Sequence, residues 1–171
     1  MFLILAVDVH YKKTSAVVAG IGFARWTDKA PAASYASIIE QAGRYIPGQF
    51  YQRELPCILM LLDEHQLSPT YMVIDGYVFL DGHSRPGLGK HLYDALCGKV
   101  KIIGVAKNPF RGITGEYALY RGTSAKPLYI TCAGMTLSEA KSRIAAMHGP
   151  HRLPALLKTV DQLSRKHHHC C

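Results

Sequence analysis

The chain has 171 residues, a formal net charge of +8 and five cysteines, and 49% of its residues are hydrophobic. This composition is typical of a globular protein. An odd number of cysteines without a CxxC pair argues against a disulfide framework and a structural zinc site. The apolar residues 1–7 are too short to span a bilayer and lack the features of a signal peptide. We therefore expect a cytoplasmic monomer without a membrane partner, with one domain over residues 1–166 and a flexible tail over 167–171.

Positive charge is concentrated in the second part of the sequence. Residues 1–98 carry 8 Lys and Arg and 9 Asp and Glu, whereas residues 99–171 carry 12 and 3. This division suits a polyanionic partner that bridges a metal site and a basic flank. A basic face that only keeps the protein soluble would give the same composition, and composition alone does not separate the two.

Strand-like runs open the chain. Residues 2–9 and 15–23, joined by a short polar turn, predict an antiparallel hairpin. The pattern over residues 35–42 fits either a strand or a short helix. The later predicted elements are strands at 71–74, 101–106 and 127–132, a hairpin arm at 117–120, and helices at 88–96, 136–147 and 153–165. A strand, a helix and a second strand in succession predict a parallel βαβ unit, so the whole order predicts an α/β fold with a mixed sheet flanked by helices.

Another helix is predicted from a proline signal. Pro56 fits the first turn of a helix that continues through residues 57–62, because the missing N–H of proline is harmless there. Glu54 would then lie at or just before the helix N-terminus, where a negative charge is favoured.

Two of the predicted strands carry acidic residues in apolar surroundings. Asp8 lies inside the apolar run 3–9, and Asp75 ends the run 71–74. A carboxylate in a core strand is costly unless something pairs with it, so two such strands suggest a cation between them. Glu54 and Asp161 can complete a cluster of oxygen ligands suited to Mg²⁺, for which Mn²⁺ can substitute. Taken singly, each residue also has an ordinary structural explanation in a strand end, a helix start or a turn.

Nine short segments have a distinctive order and spacing. They are residues 7–11, 45–48, 53–56, 74–76, 87–92, 103–107, 126–130, 137–140 and 151–154. Together they resemble the endonuclease V family over nearly the whole chain. The resemblance implies a ribonuclease H-like fold and metal-dependent hydrolysis of a phosphodiester 3′ to a deaminated base, chiefly inosine, in DNA or RNA.

Residue roles follow from the same resemblance. It implies that Asp8, Glu54 and Asp75 carry the catalytic metal ions, that Asp161 is a fourth metal-binding position, and that Lys107 stabilises phosphate charge. The implied nucleic-acid contacts are Tyr45, Pro47, Gly48, His83, His91 and Arg152. Tyr45 would wedge into the base stack where the damaged base leaves it, or else pack as an ordinary aromatic in the turn.

The sequence also departs from the family pattern. Members usually have a helical segment before the first catalytic strand, and this chain begins at the strand itself. A one-residue insertion in the turn after Asp75 leaves His83 or Asp81 in the place of the usual histidine. Two alternative functions therefore stay open: a non-cleaving nucleic-acid-binding protein on the same fold, and a related nuclease for structured or branched substrates.

Overall fold

The computed structural model describes residues 2–40 and 50–166. Its strands are β1 (Ile4–Lys12), β2 (Ser15–Phe23), β3 (Ala33–Ile39), β4 (Tyr71–Asp75), β5 (Lys101–Ala106), β6 (Ala118–Leu119) and β7 (Leu128–Ala133). Its helices are α1 (Phe50–Glu64), α2 (Leu88–Ala95), α3 (Leu137–Ala146) and α4 (Ala155–Lys166), with a 3₁₀ turn at Gly115–Tyr117. Within these described ranges, none of the helices has the length and apolar character that crossing a bilayer requires.

The strands form one mixed sheet in the order β3-β2-β1-β4-β5-β7-β6. The central strands β1, β4 and β5 are parallel, and the outer pairs are antiparallel. This arrangement confirms the predicted hairpin of β1 and β2 and the βαβ unit of β4, α2 and β5. The segment that fitted either a strand or a helix is strand β3, paired with β2, and the predicted arm at 117–120 contains β6.

Helices cover both faces of the sheet. On one face, α3 and α4 pack on the side chains of Ile4, Ala6, Val73, Ile103 and Val105. On the other face, α1 and α2 pack on Leu5, Val7, Met72, Ile74 and Ile102. Because side chains alternate along a strand, each central strand is apolar in both directions. This explains why these strands are continuous apolar runs in the sequence, and why a carboxylate within one of them stands out.

The predicted start of helix α1 was wrong. The helix begins at Phe50, so Pro56 lies in its interior and Glu54 lies inside the helix rather than at its N-terminus. A proline in this position removes the hydrogen bond to the carbonyl of Gln52, four residues earlier. Both Pro56 and Gln52 are exposed, so this carbonyl can bond to water instead. The proline is therefore tolerated on the outer side of the helix.

The backbone that follows Asp75 is held closely against its neighbours. The Gly76 N–H donates to the carbonyl of Val105 (3.0 Å), and the Val78 N–H donates to Oγ1 of Thr131 (2.8 Å). Gly104 makes this approach possible, because a Cβ there would lie 2.5 Å from the carbonyl oxygen of Gly76. The position of Asp75 thus depends on packing in β5 and β7.

The bond from Val78 to Thr131 gives a test of this arrangement. Thr131 is fully buried, so Thr131→Val should leave the Val78 N–H without an acceptor and lower the free energy of unfolding by about 1–3 kcal/mol. Thr131→Ser keeps the acceptor and should cost less, about 1 kcal/mol for the lost methyl. Urea denaturation of the two variants and the wild type measures the difference. A Val variant as stable as the wild type would show that this bond does not hold the turn.

Candidate active site

Asp8 and Asp75 lie side by side on neighbouring parallel strands. Val7 of β1 pairs with Ile74 of β4, and each aspartate is the next residue in its strand. Asp8 continues the side of β1 that carries Ile4 and Ala6, which faces α4. Asp75 continues the same side of β4. The strand register therefore brings the two carboxylates together, as the sequence predicted.

Two more charged groups reach the same place from β5 and α4. Asp75 pairs with Val105, and Lys107 follows two residues later on the same side of the sheet. Helix α4 crosses this side and contributes Asp161. A cleft of about 310 Å³ is lined by these four charged residues and by an apolar wall of Val7, Val73, Ile74, Val105, Leu153, Leu157 and Val160.

Glu54 approaches from the opposite face of the sheet. It projects from α1 on the side of the helix that also carries the buried Ile58. A second cleft, of about 180 Å³, is lined by Asp8, Glu54 and Asp75 together with apolar residues. Asp8 and Asp75 thus border both clefts. The structure thus places the four acidic residues and the lysine that the sequence selected around two adjoining clefts.

Burial and mutual repulsion favour the neutral forms of these carboxyl groups. Burial, then the charge of Asp75, raises the pKa of Asp8 to about 7. Burial, then the charges of Asp75 and Asp8, raises the pKa of Glu54 to about 8. Asp75 has an exposed side chain at the mouth of the cleft. Desolvation by the surrounding protein still raises the pKa of Asp75, and the charge of Lys107 opposes that change.

Asp161 differs because it has cationic partners. Burial raises the pKa of Asp161, but a hydrogen bond from Asp8 and the nearby Arg165 and Lys107 lower it by more, so the net shift is downward. The Nε of Arg165 lies 3.3 Å from Oδ1 of Asp161, one helical turn along α4. Asp161 is therefore the member of the cluster that most readily carries a negative charge.

Ser164 is a member of the site that the sequence reasoning missed. Its hydroxyl lies 3.0 Å from Oδ2 of Asp8 and 2.8 Å from the carbonyl oxygen of Asp161, and the residue is fully buried. The spacing Asp161-x-x-Ser164 was the available signal, because residues three apart lie on the same side of a helix.

The donor set suits a hard divalent cation, although its members are not gathered into a closed ligand shell. Over residues 2–40 and 50–166, no three acidic, histidine or cysteine side chains stand close enough to form a ready set of metal ligands. The carboxylate oxygens suit a divalent cation because they are hard donors and because their ionised forms repel one another around two adjoining clefts. A cation would favour the ionised forms that this repulsion now disfavours.

The turn after β4 separates the roles of Asp81 and His83. Asp81 accepts hydrogen bonds from the backbone N–H groups of His83, Ser84 and Arg85 at 2.8–3.1 Å. It therefore holds the turn together. The side chain of His83 is 73% exposed, and neither residue lines the two clefts.

The other expected nucleic-acid contacts are placed as follows. His91 of α2 stacks on Tyr51 of α1, with ring centroids 3.7 Å apart. Arg152 donates from Nη1 to the carbonyl of Lys107 (3.1 Å). Outside the described residues lie Tyr45, Pro47, Gly48 and the tail 167–171.

Comparison with known proteins gives consistent matches. The model of the endonuclease V family matches residues 1–137. Endonuclease V of Streptomyces avermitilis is 30% identical over 145 residues, which cover 71% of this chain and 61% of that protein. Endonuclease V of Streptomyces coelicolor is 31% identical over 141 residues, covering 71% and 59%. The matched part thus spans about three fifths of the length of these curated relatives.

Solved structures extend the likeness to the whole fold. The crystal structure of the Streptomyces avermitilis endonuclease V has a TM-score of 0.78 at 26% identity, covering 98% of this chain and 81% of that one. Human ENDOV has a TM-score of 0.77 at 19% identity, covering 98% and 84%. An Argonaute of Marinitoga piezophila shares the fold, with a TM-score of 0.55 at 12% identity, covering 95% and 29%. The predicted ribonuclease H-like fold is confirmed.

The raised pKa values predict a pH-dependent stability. Because Asp8 holds its proton up to a pH of about 7 in the folded state but only to about 3.8 when exposed, unfolding releases protons between these values. In EDTA, the free energy of unfolding should therefore fall as the pH rises from about 4 to 8. Millimolar Mg²⁺ should reduce this fall, because it favours the ionised form.

A variant identifies the group responsible. Asp8→Asn cannot ionise, so at pH 8 in EDTA it should be more stable than the wild type by on the order of 1–3 kcal/mol, with little difference at pH 4. Asp63→Asn, at an exposed position in α1, is the matched control and should follow the wild type. Thermal denaturation across this pH range measures all three proteins. If the stability of wild type and Asp8→Asn changed with pH in the same way, the pKa of Asp8 would not be raised in the folded protein.

Proposed function

We propose, because the chain belongs to the endonuclease V family, that the protein is a metal-dependent endonuclease. It would hydrolyse the phosphodiester 3′ to a deaminated base, inosine, in DNA or RNA. The observation that carries the proposal is that Asp8, Glu54 and Asp75 line one cleft, and that Asp8 and Asp75 also line the adjoining cleft with Asp161 and Lys107. Repelling carboxylates at one point of a sheet destabilise the protein, and a bound cation removes that repulsion.

The acidic residues would hold the metal. Asp8, Glu54 and Asp75 would bind Mg²⁺, or Mn²⁺ in its place, with Asp161 as a fourth oxygen donor. When bound, the metal would supply a Lewis acid that activates water and stabilises charge on the leaving oxygen. Ser164 fixes the orientation of the Asp8 carboxylate through its hydroxyl.

Lys107 provides a positive charge inside the first cleft. It lines the same cleft as Asp8, Asp75 and Asp161, and its charge opposes the rise in the pKa of Asp75. An ammonium group beside the carboxylates can bind a phosphate oxygen and stabilise the charge that develops in the transition state. The apolar wall of the cleft limits water there, which strengthens this interaction.

The basic second part of the chain would bind the phosphate backbone. In the described part of this region, the exposed basic residues are Lys99, Arg111, Lys126, Arg143, Lys158, Arg165 and Lys166. Such residues release counterions from nucleic acid, so affinity should weaken as salt rises. The position of Arg165 beside Asp161 brings this basic surface to the mouth of the acidic cleft.

The alternative of a non-cleaving binding protein has one observation in its favour. His83, an expected contact, does not line the clefts. Such a protein would bind inosine-containing strands without a metal-dependent product. A nuclease for branched or structured substrates would share the metal site and differ in its substrate surface.

Cleavage of defined oligonucleotides separates these functions. End-labelled single- and double-stranded DNA and RNA with one inosine are incubated with the protein in Mg²⁺, Mn²⁺ or EDTA, beside matched strands without inosine. We expect a nick at one fixed position 3′ of inosine that requires the metal. Asp75→Asn should lower the rate by at least about 10³-fold, whereas the control Asp63→Asn should cleave normally. Retained binding without any nick would favour the binding protein, and cleavage of branched strands alone would favour the third function.

Substitution of Asp8 should lower the cleavage rate more than substitution of Asp161. Asp8→Asn should lower single-turnover cleavage by at least about 10³-fold, because Asp8 borders both clefts. Asp161→Asn should lower it by only about 10- to 100-fold, because Arg165 already neutralises this carboxylate. Raising Mg²⁺ should restore part of the activity of Asp161→Asn. Equal losses in the two variants would contradict this difference in roles.

A further inference from the structure

The backbone that follows Lys107 is held from two sides. The carbonyl of Lys107 accepts a hydrogen bond from Nη1 of Arg152 (3.1 Å). The carbonyl of the next residue, Asn108, accepts a hydrogen bond from the hydroxyl of Tyr77 (2.6 Å). The same hydroxyl accepts a bond from the N–H of Phe110 (2.9 Å). Tyr77 thus uses both its donor and its acceptor on this one segment.

This support comes where the sheet no longer provides it. Strand β5 ends at Ala106, whose partner in β7 is Tyr129. Lys107 lies just beyond this last pair, and its long side chain has several rotatable bonds. An ammonium group at the end of such a chain keeps a fixed position only if its own backbone is fixed.

The two residues that hold Lys107 lie just outside the elements that supply two of the carboxylates. Tyr77 lies two residues after Asp75, and Arg152 leads into α4, which carries Asp161. The ring of Tyr77 also packs edge-on against Phe110, with centroids 6.1 Å apart. The hydrogen bonds therefore link the lysine to both sides of the acidic cleft.

Arg152 is itself fixed by a buried arginine. Arg121 is 8% exposed and donates to the carbonyls of Met147 (2.6 Å), His151 (2.6 Å) and Arg152 (3.2 Å). These bonds hold the connection between α3 and α4. A rigid support of this kind is what a positioning residue needs.

We propose that Tyr77 and Arg152 are positioning residues that clamp the Lys107–Asn108 segment, so that the ammonium of Lys107 is held at the acidic cleft. This proposal rests on the proposed function, since it gives Lys107 its place in the cleavage reaction. It assigns to Arg152 a task other than contact with nucleic acid. The two tasks predict different kinetics, because loss of position lowers kcat whereas loss of a substrate contact raises KM.

Tyr77→Phe is the variant that tests the hydroxyl of Tyr77 most directly. It keeps the ring and its packing on Phe110 but removes both hydrogen bonds of the hydroxyl. We expect kcat on the inosine substrate to fall about tenfold with KM unchanged. Tyr120→Phe, at a tyrosine that is 65% exposed, is the matched control and should behave as the wild type. Arg152→Lys keeps the charge without the guanidinium geometry and should also lower kcat rather than raise KM.

A double-mutant cycle with Lys107→Ala tests whether Tyr77 acts through the lysine. In the Lys107→Ala background, Tyr77→Phe should change single-turnover cleavage by less than about twofold. Amide hydrogen exchange gives a reading that does not need cleavage: the Phe110 N–H should exchange faster in Tyr77→Phe, while thermal denaturation confirms that the variant is folded.

The outcomes separate this proposal from the proposed function. A wild-type protein that makes no metal-dependent nick would overturn the proposed function. If the wild type cleaves and Lys107→Ala is impaired, but Tyr77→Phe keeps full kcat, the clamp is overturned alone. A tenfold loss from Tyr77→Phe that persists in the Lys107→Ala background would also overturn it, because the tyrosine would then act by another route.

Discussion

Negative charge at two neighbouring strands is the constraint on which the rest of this structure depends. The pairing of Val7 with Ile74 sets Asp8 beside Asp75, and neither can move without breaking the sheet. Glu54 adds a third carboxylate from the opposite face, and its pKa rises to about 8 by burial and by the two aspartates. Such an arrangement lowers stability, which is consistent with the metal-binding role proposed for these carboxylates. Lys107 and Arg165 offset part of the repulsion without pairing with every carboxylate.

The fold keeps this charge in place with rigid elements. Strands β1, β4 and β5 are apolar on both faces, and α1 and α4 cover the two faces at the level of the clefts. The turn after Asp75 is tied to β5 and β7 through Gly76 and Thr131. Sites built on strand ends hold their geometry better than sites on free loops, because a shift of the site would require a shift of the core.

Much of this could be predicted from the sequence, because the informative patterns are local. Apolar runs identified the strands, and the helix predicted at 136–147 is α3, where the Glu139 N–H donates to Thr136 and caps the helix. Asp8 and Asp75 stood out because each interrupts or ends an apolar run. Pro56 gave a wrong start for α1 because a helix tolerates an interior proline on its exposed side. The sequence alone does not show which side of the helix is exposed. Contacts between distant residues, such as Ser164 with Asp8, 156 positions apart, are set by the fold, and the spacing of Ser164 from Asp161 was the one local signal for it.

The carboxyl groups of the site have different pKa values, so they ionise at different pH. Near neutral pH, Asp161 is ionised, since its pKa is lowered by Asp8 and Arg165 against the opposing effect of burial. Asp8, with a pKa of about 7, is partly ionised, and Glu54, with a pKa of about 8, mostly keeps its proton. Asp8, Glu54, Asp75 and Asp161 would hold a divalent cation in their ionised forms, so its binding would require Asp8 and Glu54 to release their protons. Its affinity would therefore rise with pH, and the protons released would report which carboxylates it engages.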